Sequence, residues 1–91
     1  MLTLEKRFNN MVYHFGKYEK YYKERIEEAR EAAKTYNKEI KAFRIPKADG
    51  FDVNCKVKAS GELVVIVKDA EEDEEIARYA EKLTEILKKL C

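Results

Sequence analysis

The chain has 91 residues, 45% hydrophobic and 41% charged, with 19 basic side chains against 18 acidic ones. That composition excludes a disordered polar chain, and no apolar run approaches the ~18 residues that cross a membrane. The near balance of charge also speaks against a nucleic-acid binder, which carries a clear basic excess. With nothing at the start reading as a signal peptide, the expected setting is cytoplasmic or recombinant solution.

Leu4, Phe8, Met11, Phe15, Tyr18, Tyr22, Ile26, Ala29, Ala33, Tyr36, Ile40 and Phe43 follow one another at spacings of three or four. At ~100° per residue such spacing puts them on one stripe, so the pattern predicts a single long amphipathic helix over 3–44. Thr3 is the expected N-cap and Glu5 complements the helix dipole. Pro46 is the expected stop, with Ile45 extended before it. Gly16 lies off the stripe and weakens the helix by ~1 kcal/mol. A break there is the alternative reading.

Residues 47–50 read as a turn, since Asp49-Gly50 supplies the left-handed position such turns need. Phe51, Val53, Cys55 and Val57 then alternate with polar residues, predicting a strand over 51–58, and a second strand is expected over 62–68. A three-residue loop with Gly61 as the left-handed residue would place Phe51, Val53, Cys55, Val57, Leu63, Val65 and Val67 on one face, with Glu62 against Lys58. A two-residue loop would split them between faces, so the three-residue register is favoured. The last helix is expected over 70–90, capped by Asp69 with Glu72 three residues on. Ile76, Tyr79, Ala80, Leu83, Ile86, Leu87 and Leu90 form its stripe.

An unbroken helix over 3–44 would be ~60 Å long. A compact domain of this size is about 30 Å across. The hairpin and last helix would cover only half of the stripe, leaving Phe8, Met11, Phe15 and Tyr18 in water at a loss of ~1.5–3 kcal/mol for each large side chain. Val64 and Ile66 would also face outward on a two-stranded sheet that is marginal by itself. The expected remedy is a homodimer, with long helices paired antiparallel or hairpins joined into a wider sheet. The fold class so predicted is α+β: long helix, β-hairpin and shorter helix in one two-layer domain over 1–91, its core completed by self-association. The expected interface is Leu4, Phe8, Met11, Phe15, Tyr18 and Tyr22. A helix folded back at Gly16, giving a monomer, is the competing expectation.

The densest unusual chemistry is Tyr13, His14, Tyr18, Tyr21, Tyr22 and Arg25. His14, Tyr21 and Arg25 flank the stripe and are candidates for contact with another protein, because Tyr and Arg dominate binding hot spots. His14 is the single histidine and has no second ligand or catalytic partner at helical spacing, so no catalytic, metal or cofactor site is expected. The run 71–75 lacks the alternation and glycine of a calcium loop and reads as helix capping. Cys55 and Cys91 fit no zinc or redox spacing; a buried thiol at Cys55 is the expected reading and a bridge to Cys91 the alternative. Neither a nucleic-acid nor a membrane partner is expected.

The segments EEAREAAK (27–34), ASGELVVIVKD (59–69) and EEIARYAEKLTEILKKL (74–90) combine strong helix formers, one simple turn and charged helix ends. In composition, the chain from Ile26 onward resembles computationally designed idealised α/β proteins. Residues 1–22, with Asn9, Asn10, His14 and Gly16, do not share that character. The helix–hairpin–helix order is also similar to that of prefoldin β-type subunits, although their two helices are alike in length. The uncovered stripe and the missing site chemistry predict a structural, self-associating protein without catalytic activity, and the design resemblance implies that it is engineered. The competing expectation is a protein-binding module, natural and hyperthermophilic or designed, that uses the aromatic N-terminal helix. Abundant Lys and Glu without Gln or Trp suits either origin.

Overall fold

The computed structural model describes residues 3–47 and 50–90. Along them run α1 (Leu4–Lys17), α2 (Glu19–Tyr36), β1 (Ile40–Ile45), β2 (Val53–Val57), β3 (Leu63–Val67) and α3 (Glu74–Lys89). The strands form one antiparallel sheet in the order β1-β2-β3. α2 packs on β1 and β2, while α3 packs on β3 and on α1. One sheet face, carrying Phe43, Ile45, Val53, Cys55, Val57, Leu63 and Val67, joins Met11, Phe15, Tyr22, Ile26, Leu83 and Leu87 of the helices in a single core. The class is α+β, as expected, but the elements of the first half differ.

The long helix over 3–44 is replaced by two helices and a strand. Its start is as expected, with Thr3 Oγ1 accepting from the Lys6 N–H at 3.2 Å. The first departure is Tyr18, whose φ of −112° and ψ of 31° end α1. It lies two residues past Gly16, which is exposed and has open space where a side chain would stand, so the helix yields beside its weakest residue. The bend lets α1 turn onto α3. The Phe8 ring stands 5.2 Å from that of Tyr79, and the Lys82 ammonium lies over both, at 5.8 and 5.4 Å. The molecule measures 43 × 29 × 20 Å, well short of a 60 Å rod.

The second departure is Asn37, which takes the left-handed conformation with φ 52° and ψ 47°. Asparagine tolerates that region better than other side-chain-bearing residues. The Asn37 and Lys38 N–H groups both donate to the Ala33 carbonyl, closing the end of α2. Pro46 therefore follows a strand and not a helix. In β1, Ile40 faces Val57 and Phe43 faces Cys55, with the register shifting between Lys41 and Phe43. This β-bulge puts residues three apart on one strand face, the spacing otherwise diagnostic of a helix.

The hairpin adopts the favoured register. Val57 lies opposite Leu63, Cys55 opposite Val65 and Val53 opposite Val67. Gly61 has φ 92°, its N–H donates to Lys58 O at 2.8 Å, and Lys58 N–H donates to Glu62 O at 2.9 Å. The Lys58 and Glu62 side chains meet at 3.5 Å. β1 makes this a three-stranded sheet, wider than the expected hairpin alone.

The last helix starts later than 70. Asp73 is its N-cap, with Oδ1 accepting from Glu75 N–H at 2.9 Å and Ile76 N–H at 3.3 Å. Asp69, the expected cap, has φ 70° and its carbonyl accepts from the Glu72 and Asp73 N–H groups. The chain uses that left-handed turn to leave the sheet, and the second aspartate four residues on does the capping. Ala48, Asp49 and Cys91 fall outside the described residues, and with them the details of the 47–50 turn and the alternative bridge from Cys91. Cys55 is a buried thiol.

Candidate binding surfaces: an aromatic flank and an open strand edge

Most of the expected interface is interior. Met11, Phe15 and Tyr22 are 0%, 1% and 4% exposed, and Leu4 and Phe8 are partly buried against the same core. The bend at Tyr18 and the turn at Asn37 bring α3 and the sheet over a seam that a straight helix would have left bare. The premise that a second copy must cover it therefore falls. Tyr18 alone of the six is exposed.

The flank, by contrast, is assembled as the helical spacing implies. The His14 ring stands 4.8 Å from that of Tyr18 and 5.6 Å from that of Tyr22. Tyr21 meets Tyr22 edge-on at 5.3 Å, and Tyr22 continues inward to Phe15 at 5.2 Å and Phe43 at 4.7 Å. Cations cover the outer rings, Lys17 over Tyr18 at 5.5 Å and Arg25 over Tyr21 at 5.7 Å. Arg25 also holds Glu28 at 2.7 Å, while its Nε is enclosed and makes no hydrogen bond among the described residues. The neighbours of His14 are rings, so the surface offers aromatic faces and positive charge to a partner.

A second surface is the sheet edge. Lys58 N–H bonds Glu62 O, and Lys68 N–H bonds Asp52 O at 2.9 Å. In an antiparallel ladder the main-chain groups alternate sides, so Val64 and Ile66 bond β2, while Leu63, Val65 and Val67 turn theirs to the open edge. Among the described residues, only the Val67 carbonyl has a local main-chain donor there, the Ala70 N–H at 3.2 Å. Beside this edge runs an open groove of about 460 Å³ bordered by Val65 and by Ala80, Glu81 and Thr84 of α3. Thr84 Oγ1 is spent on the Ala80 carbonyl at 2.8 Å.

The two edges of the sheet are unlike. β1 carries a bulge, the charged Lys41 and Arg44, and Pro46 just beyond it. These are the devices by which proteins stop strangers pairing with an edge. β3 reads Leu-Val-Val-Ile-Val with none of them. On its outer face Ile66 is 48% exposed, and Val64 is half-buried. The rest of that face is polar, with Arg44 paired to Asp52, Lys56 to Glu39 at 3.7 Å, and Asn54 Oδ1 enclosed without a hydrogen bond among the described residues. The signal for the edge, five apolar residues with no charge among them, stands in the sequence; which side of β3 is open needs the strand order.

Among the described residues, no group of three His, Cys, Asp or Glu side chains converges as a metal site. Searches of family models, curated proteins and solved structures find no match to this chain.

Proposed function

We propose that the chain is a self-associating structural module without catalytic chemistry, whose copies join through β3. One observation carries the reading: β1 is guarded against edge pairing and β3 is not. A five-residue apolar edge left in water is a template for aggregation, and a chain that keeps one while protecting the other edge has a use for it. Turn, cap and pattern agree at Gly61 and Asp73, within the segment from Ile26 onward, which supports the resemblance to idealised designs.

The test is molecular mass by light scattering on the wild type and on Val65→Pro. Proline is tolerated where the N–H points to the open side of an edge strand, so the substitution spares the ladder to β2 while blocking a partner strand. The expected result is twice the chain mass for wild type and a folded monomer for Val65→Pro. A wild type that stays monomeric to about 0.1 mM, a weak-binding concentration, overturns the reading.

The exposed aromatic flank favours a second reading, a module that binds another protein through Tyr18, Tyr21, His14 and Arg25. Tyr21 is 54% exposed and Tyr18 44%, and they adjoin Arg25 and His14 respectively on the same flank. Replacing Tyr18 and Tyr21 by Ser leaves the mass unchanged if copies join at β3. A loss of self-association in that double variant moves the contact to the flank.

A further inference from the structure

We infer that the occupant of the β3 edge is the β3 of a second copy, paired antiparallel about a two-fold axis at Val65, so that two three-stranded sheets become one of six. The inference rests on the self-association reading and specifies its register. Three features of the strand select that register.

The main-chain groups of Leu63, Val65 and Val67 face outward, so paired residues must both be odd-numbered. Centring on Val65 sets Val65 against the partner's Val65 and Leu63 against the partner's Val67, using every residue of the open edge. The even residues fall opposite each other on the outer face: Val64 meets the partner's Ile66, and Glu62 meets the partner's Lys68. Each end of the shared ladder then closes with an opposite-charge pair, and the four apolar side chains between them form one band that covers Ile66. Sliding the pairing by one step, to centre on Val64 or on Ile66, sets Glu62 against the partner's Ile66 or Lys68 against the partner's Val64 and leaves both charges unmatched. The same strand is thus self-complementary in charge and shape in one register alone. Such pairs contribute when they lie directly opposite, and like charges there repel.

The groove beside Val65 fits the same arrangement. Ala80 and Thr84 border it with small side chains beside the charged Glu81, Lys82 and Glu85, so the partner's α3 would approach across the axis over the small residues. Lys58, already 3.5 Å from Glu62, would lie at the rim of the new pair and leave its acidic partner in place.

The experiment is charge reversal with complementation. Glu62→Lys and Lys68→Glu alter exposed side chains, and Glu62→Lys gives up within its own chain only the exposed pair with Lys58, so circular dichroism should report an unchanged fold for both. Each variant alone faces like charges at both ends of the ladder, and its dimerisation should weaken at least about tenfold. Mixing the two restores both pairs, so sedimentation and native mass spectrometry should show a heterodimer of the two masses and little of either homodimer. The doubly reversed chain should dimerise as wild type does. If the single variants dimerise as tightly as wild type, or their mixture no more tightly than either alone, this register is overturned. Self-association would still stand if Val65→Pro abolishes it. A monomeric wild type removes both.

Discussion

The Arg44 guanidinium meets the Asp52 carboxylate in two hydrogen bonds, Nε to Oδ1 at 3.2 Å and Nη2 to Oδ2 at 2.9 Å, on the sheet face away from the helices. This fork ties β1 to the chain entering β2, and its hydrogen bond to Arg44 holds the Asp52 carboxyl below the usual range. A depressed folded pKa stabilises above the unfolded value, about 4, and that contribution is lost as pH falls toward the folded value. Wild type should therefore lose urea resistance more steeply than Asp52→Asn between about pH 5 and pH 2. The difference is small, since Arg44 is half exposed and surface pairs are screened. Superimposable profiles would show that the fork contributes nothing.

Phe15→Ala should act on folding and not on assembly. The side chain is 1% exposed and in edge contact with Tyr22, so its truncation leaves a cavity costing ~3–5 kcal/mol. Chemical denaturation should show the midpoint collapse. A variant of wild-type stability that has become monomeric would instead put Phe15 at an interface.

Two glycines should respond in opposite directions to alanine. At Gly50, φ is 149° and an added Cβ would lie 2.8 Å from Met11 Cγ, 2.9 Å from its sulfur and 3.1 Å from the Arg7 carbonyl. The loss should be ~1–3 kcal/mol, from overpacking and backbone strain together. At Gly16 nothing lies within 4 Å, so alanine should gain ~0.5–1 kcal/mol in helix stability. Thermal melts of both variants check the pair. A stabilised Gly50→Ala would mean the β1–β2 connection does not press on α1.

Asn37 is the hinge between helical and sheet halves. Asn37→Gly should be neutral or slightly stabilising, because glycine adopts the left-handed region freely. Asn37→Val should cost ~1–2 kcal/mol, since a branched side chain resists that conformation. Urea midpoints of the two variants should bracket wild type.

Local chemistry in the sequence was enough for α1's start at Thr3, the half-buried strands 53–57 and 63–67, the three-residue turn at Gly61 and the assembly of His14, Tyr18, Tyr21 and Arg25 on one flank. Each depends on neighbours a few residues apart, where period, turn type and capping chemistry act directly. What tertiary structure decided was where the long pattern stops being a helix. Ile40 and Phe43 satisfy helical spacing as written, and a bulge lets the same spacing serve a strand face opposite Val57 and Cys55. Only the chance to pair with β2 tips that balance, and the left-handed turn at Asn37 follows from it. The fate of Met11, Phe15 and Tyr22 was likewise beyond local reach, since their burial needs the bend at Tyr18 and the turn at Asn37 to bring α3 and the sheet over them. The open side of β3 belongs to the same class, because an edge exists only once the order β1-β2-β3 is set.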